Sequence, residues 1–130
     1  MNTIIFRLII LVLLPLSAFA EVVTVDFVKV LNGNTEEAVY YYENNWKQHR
    51  IEAAKRGLIS SYKLLFKTST DGQTDILLVT EYGSQAQYEN REENFAAVMR
   101  DTRGNGPMLL NDKVPGEFRD VVDGGVYSSE

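Results

Sequence analysis

Cysteine is absent from this 130-residue chain, and histidine and tryptophan occur once each. Without cysteine there is no disulfide, thiolate metal site, covalent haem attachment, cysteine nucleophile or lipoprotein anchor. One histidine excludes a metal site with two histidine ligands and leaves a single imidazole for acid–base chemistry. Basic residues are also few, since 13 Lys and Arg stand against 18 Asp and Glu, for a net charge of −5. The chain therefore lacks the basic surface expected of a nucleic-acid-binding protein.

Apolar residues make up 45% of the chain and aromatic residues 11%, which is enough for a packed core. The first twenty residues have the organisation of a secretory signal peptide. Arg7 precedes the apolar run Leu8–Leu14, and the Ala-Phe-Ala sequence ending at Ala20 has the small-x-small pattern that signal peptidase cleaves. That run is shorter than the roughly 20 residues that span a bilayer. We therefore expect a single mature domain over residues 21–130, periplasmic or secreted, without a membrane anchor after cleavage.

Hydrophobic periodicity and turn residues predict the element order β-α-β-β-α-β. Strands are predicted over 22–31, 58–67, 75–82 and 118–128, and helices over 35–56 and from Ser84 to about residue 101. Asn34 and Ser84 are predicted capping-box residues, and residues 102–117 a loop with one helical turn near 108–111. The last strand contains a Gly pair that would bend or bulge it. The order is typical of the α+β ferredoxin-like fold, a four-stranded antiparallel sheet with two helices on one face.

The first and third predicted strands are apolar on both of their alternating faces. Two helices cover only one face of the sheet, so the other face needs a second cover. A second copy of the same sheet is the simplest partner, and this predicts a homodimer. The alternative is that the second face is a mixture of polar and apolar residues and needs no partner.

The first helix contains Tyr41 and Tyr42, then Trp46, then His49, and ends at Gly57 before the second strand. With the element order, these features resemble the dimeric α/β-barrel superfamily, which includes antibiotic-biosynthesis-monooxygenase-like, EthD-like and NIPSNAP-like domains. The resemblance covers about 110 residues. It implies a homodimer, a ligand cleft between sheet and helices and, in some members, cofactor-free oxygenase or isomerase activity. Haem-degrading members are less similar, because here the Trp and the His share the first helix.

Several residues of the first helix are spaced to share one stripe that should face the sheet: Val39, Tyr42, Trp46, His49 and Ala53. Tyr42 and Trp46 would form an aromatic wall of the cleft, and Tyr62 on the second strand would be a partner across it. His49 is the candidate catalytic residue, because an imidazole with a pKa of about 6.5 suits general acid or base chemistry. The alternative is that these side chains only pack in the core.

Charged residues give weaker indications of function than the aromatic stripe of the first helix. Asp26 and Glu81 lie within predicted strands and could orient a ligand or His49, or be solvated or paired. Residues 101–112 match part of a calcium loop, but Arg103 occupies its third position, so no metal site is expected. Four residues are interpreted as the solvated face of the first helix: Glu36, Glu43, Lys47 and Arg50.

Three functions remain open at this point. The first is a homodimeric domain that binds a small hydrophobic or aromatic molecule in a cleft lined by Tyr42, Trp46, His49 and Tyr62. The second is a cofactor-free monooxygenase or isomerase of the same fold, in which His49 transfers protons. The third is a protein-interaction module without a small ligand. No cofactor is expected for any of them.

Overall fold

The computed structural model describes residues 21–129, so the predicted signal peptide lies outside the described residues. Four strands form one antiparallel sheet: β1 (Val22–Val30), β2 (Ser61–Thr68), β3 (Thr74–Tyr82) and β4 (Arg119–Ser128). The order in the sheet is β2-β3-β1-β4, which places β1 and β3 at the centre. This is the ferredoxin-like arrangement that the element order predicted.

The helical connections are more divided than predicted. The first is one continuous helix of three parts, α1 (Thr35–Tyr41), a π-helical turn (Tyr42–Trp46) and α2 (Lys47–Lys55). The second is split into α3 (Gln85–Glu89) and α4 (Arg91–Thr102), and a short helix, α5 (Pro115–Phe118), precedes β4. Among residues 21–129, no helix is both long and apolar enough to cross a membrane.

One of the two predicted helix caps is confirmed. The Ser84 hydroxyl accepts a hydrogen bond from the Gln87 amide, as expected of an N-cap residue. The prediction for Asn34 is wrong, because its side chain makes no cap hydrogen bond and instead donates to the Glu117 carbonyl (2.9 Å). The helical turn predicted near residues 108–111 is also wrong, since the turn forms at α5, where Pro115 can begin a helix.

The π-helical turn is supported by two adjacent asparagines. The Lys47 amide bonds to the Tyr42 carbonyl, five residues earlier, and the side-chain amides of Asn44 and Asn45 donate to carbonyls four residues before them. Asparagine side chains compete with the backbone for such partners, which favours a departure from regular α-helix at this point. One extra residue in a turn rotates the following residues by about 100° relative to a continuous α-helix.

The helices cover the inner face of the sheet. On β3 buried and partly buried side chains alternate strictly. The buried core lies under the long helix and α5: Val28, Val30, Ala38, Tyr42, Ile76, Leu78 and Phe118. A second cluster around Ala53, Tyr82 and Val98 joins α2 to α4. The sheet and the helices therefore bury a core on this side of the molecule.

The outer face of the sheet has no helix among the described residues. Register pairs Leu77 on β3 with Phe27 on β1 and with Leu65 on β2. Phe27 is 36% exposed and Leu65 is 47% exposed. The prediction that β1 and β3 are apolar on both faces is thus confirmed for these positions. They form an exposed apolar strip across an outer face that also carries Lys29, Lys63 and Asp75.

Candidate functional site

A cleft of about 660 Å³ opens between the inner face of the sheet and the helices. β1, β3 and β4 form its floor, and α2 and α4 form its wall. Its apolar and aromatic lining includes Tyr82, Phe95, Met99 and Val126, and Asp26, Arg50, Arg91 and Glu92 supply its charged groups. A volume in this range suits a small organic molecule.

A smaller cavity of about 290 Å³ continues from the cleft along the long helix. The two share Asp26, Arg50 and Met99 in their walls, so these residues mark the junction between them. The Asn45 side chain, in the wall of the smaller cavity, accepts a hydrogen bond from the Met108 amide and donates one to the Met108 carbonyl (both 2.8 Å). Asn45 therefore fixes the loop after α4 against the long helix.

Three of the four predicted site residues line the smaller cavity. Tyr42 and His49 are buried, and Trp46 is partly buried between them. Tyr62 lines neither cavity and instead packs edge-on against Trp46, with ring centroids 6.3 Å apart. The reason is the strand order, because Tyr62 lies on the edge strand β2 while the cavities lie on the β1–β4 side.

The buried stripe of the long helix also differs from the prediction at two positions. The buried residues are Ala38, Tyr42, Asn45, His49 and Ala53, whereas Val39 and Trp46 are only partly buried. The π-helical turn underwinds the helix after Tyr42. As a result, side chains from both Asn45 and Trp46, and from both His49 and Arg50, reach the cavities.

The interpretation of Arg50 as a solvated surface residue is wrong. Its guanidinium carbon lies 3.8 Å from the Phe95 ring centroid and 4.6 Å from the Trp46 ring centroid. Its Nε donates to the Thr80 hydroxyl (3.0 Å) on β3. Burial lowers the pKa of Arg50 to about 10, so the group keeps its charge at neutral pH. The rotation caused by the π-helical turn explains why regular helical spacing did not place Arg50 inside.

Asp26 faces the junction of the two cavities from the middle of β1. A Cβ atom at Gly124 on β4 would lie 2.7 Å from an Asp26 carboxylate oxygen. Any larger residue at this position would therefore displace the Asp26 carboxylate. The predicted bulge of β4 lies at Val122, two residues before Gly124, since Phe27 pairs with Asp123 and Val28 with Val121. Glu81 points away from the site, where it bonds Ser61 and lies 3.9 Å from Lys63.

Burial favours the neutral forms of Tyr42, Tyr82 and His49. Burial raises the pKa of Tyr42 to about 12 and also raises the pKa of Tyr82. The pKa of His49 is lowered, first by burial and then by the charges of Arg103 and Arg50. Its ring nitrogens make no hydrogen bond to another described residue. Because its pKa is lowered, a neutral imidazole faces the smaller cavity at neutral pH.

The lowered pKa of His49 predicts a pH dependence of stability. Below about pH 6.5 His49 binds a proton more readily in the unfolded chain than in the folded chain. The free energy of unfolding therefore decreases as the pH is lowered. Replacing His49 by Gln removes this contribution, and we expect the variant to lose less stability than the wild type between about pH 7.5 and pH 5.5. Urea unfolding at both pH values measures it. Equal losses in the two proteins would show that burial does not shift this histidine.

The described residues contain no group of three His, Asp or Glu side chains placed to hold a metal ion. No family model matches the sequence, and no curated protein shows significant sequence similarity to it. Comparison of structures does give a match: a crystal structure of a Bacillus cereus protein named as a candidate antibiotic-biosynthesis monooxygenase. The superposition covers 85% of this chain and 94% of that protein, with a TM-score of 0.51 and 14% sequence identity.

The two proteins share a fold. The resemblance inferred from sequence is thus confirmed as an antibiotic-biosynthesis-monooxygenase-like ferredoxin fold. At 14% identity the similarity concerns the fold alone and does not establish a shared functional site. Sequence reasoning missed Arg50 and Tyr82 as cleft residues. Phe95 and Met99 of α4 also line the cleft.

Proposed function

We propose that this chain is a homodimeric α/β-barrel domain, exported from the cytoplasm, that binds a small aromatic molecule in the cleft between the long helix and the sheet. The observation that carries the proposal is the pair of adjoining cavities that share Asp26, Arg50 and Met99 in their walls. It combines aromatic walls with a few converging polar groups, the composition typical of small-molecule sites.

The lining of the larger cleft favours an apolar aromatic molecule. Phe95 and Met99 line it from α4, while Tyr82 and Val126 line it from the sheet. Val126 is 58% exposed although it faces the cleft, so a bound ring would cover apolar surface that is now open to solvent. Burial of that surface supplies the main favourable free energy of binding.

Export and dimerisation rest on separate observations. The organisation of residues 1–20 supports export through the general secretory route. The open outer face, with Leu77 between Phe27 and Leu65, supports a dimer in which two sheets pack face to face. The helices and the cleft would then lie on the outside of each copy.

Binding can be followed at Trp46, because it is the only tryptophan in the chain. In a proton–nitrogen correlation NMR spectrum its indole N–H gives one resolved peak, which we expect to shift on titration with naphthamide, a neutral aromatic probe. Replacing Phe95 by Ala removes part of the cleft wall and should weaken the binding at least about tenfold. The matched control is Phe66→Ala on β2, outside the cleft, which should leave affinity unchanged. An indole peak that stays fixed at saturating probe contradicts the proposal.

A second candidate function uses the smaller cavity. The neutral imidazole of His49, which lines this cavity together with Tyr42, suits a general base that removes a proton from a bound phenol or activated C–H group. This would support cofactor-free oxygenation or isomerisation. Under this hypothesis His49→Ala abolishes turnover of such a substrate but keeps the Trp46 response to naphthamide. Turnover that survives the substitution would exclude His49 as the base.

A further inference from the structure

The charge around the cavities is opposite in sign to that of the whole chain. The protein carries a net charge of −5. The two cavities together are nevertheless lined by four arginines and two carboxylates, namely Arg50, Arg91, Arg103 and Arg119 against Asp26 and Glu92. In the part of the chain that the structure describes, none of these four arginines has a carboxylate partner within 4.0 Å, whereas Arg56 on the surface has two.

Arg50 is placed to bind a ligand through the edge of its guanidinium group. Phe95 and Trp46 pack near its guanidinium carbon, and Nε is already bonded to Thr80. Its two terminal nitrogens make no hydrogen bond to any residue from 21 to 129. A guanidinium edge presents parallel N–H donors that match the two oxygens of a carboxylate.

Asp26 does not neutralise Arg50. The carboxylate is close enough to favour the charged form of Arg50, yet the two side chains form no ion pair within 4.0 Å. Both face the junction between the cavities. A positive charge that is partly buried and lacks an ion-pair partner is costly unless a ligand or water completes its interactions.

From these contacts we infer that the ligand is an aromatic carboxylate, whose carboxylate group is bound by the terminal nitrogens of Arg50 while its ring lies against the wall of the larger cleft. This inference rests on the proposed binding function and specifies the chemical class of its ligand. Arg91 and Arg119 add positive potential on either side of Arg50, and Asp26 limits the affinity through repulsion of the ligand's charge.

Calorimetric titration with two matched probes tests the inference. Naphthoate carries the carboxylate, and naphthamide has the same ring and nearly the same shape without the charge. We expect the wild type to prefer naphthoate by at least about tenfold. Arg50→Gln should remove this preference while naphthamide still binds. The matched control is Arg56→Gln, which removes one positive charge from the end of the same long helix and should keep the preference.

A second variant keeps Arg50, so the inference can be tested even if Arg50→Gln does not fold. Asp26→Asn removes the neighbouring negative charge, so it should tighten naphthoate binding severalfold and leave naphthamide affinity unchanged. Equal affinity of the wild type for both probes would overturn the inference and leave the proposed binding function standing. Absence of binding for both probes would overturn the two together.

Discussion

Replacing Phe118 by Ala is expected to lower the free energy of unfolding by about 3–5 kcal/mol, the usual cost of removing a buried phenylalanine ring. Phe118 has no exposed surface and is the largest of the fully buried side chains. Its ring centroid lies 5.4 Å from that of Tyr41, and its carbonyl accepts a hydrogen bond from the Leu31 amide. It therefore connects α5 and β4 to the start of the long helix.

Urea unfolding followed by circular dichroism measures this loss, at one protein concentration because a dimer's stability depends on concentration. The control is Phe66→Ala, which makes the same chemical deletion at a side chain that is 42% exposed. It should cost less than about 1 kcal/mol. Similar losses in the two variants would show that Phe118 is not the centre of the core.

Replacing Leu77 by Arg is expected to convert the protein from a dimer to a monomer. Leu77 lies on the outer face of β3, with Phe27 and Leu65 beside it. Paired sheets would bury it against the partner copy. An arginine there would place an unpaired charge in an apolar interface, which costs more than the interface can recover.

Size-exclusion chromatography with light scattering gives the mass directly. We expect the mass of two chains for the wild type and of one chain for Leu77→Arg. Val114→Arg is the control, because Val114 is also a largely exposed apolar residue but lies in the loop before α5. It should remain a dimer. A wild type with the mass of one chain would contradict the dimer, and the outer face would then need another explanation.

The element order was predictable because strong local signals mark its boundaries. Alternating apolar residues define the central strands, and Gly57 ends the long helix with a positive φ of 70°. The helix cap at Ser84 has the same local character. Asn34 was misassigned because its amide bonds to Glu117, a residue far away in sequence that no local pattern connects to it.

The site was less predictable than the fold, for two physical reasons. Helical spacing assumes one constant rotation per residue, so the π-helical turn at Tyr42–Trp46 concealed the inward position of Arg50. The adjacent Asn44 and Asn45 are the one local sign of that turn. Strand order is the second reason, since it sets Tyr62 apart from the cleft and brings Gly124 of β4 beside Asp26 of β1.

Native mass spectrometry of the protein purified from its native cells tests directly whether the chain forms a dimer and whether its cleft binds a small molecule. Gentle ionisation preserves both the contact between copies and a small molecule in the cleft. We expect a mass of two chains plus an adduct, and fragmentation of that adduct would identify an aromatic acid. A bare dimer that also fails to take up naphthamide or naphthoate would contradict the claim that this cleft binds a ligand.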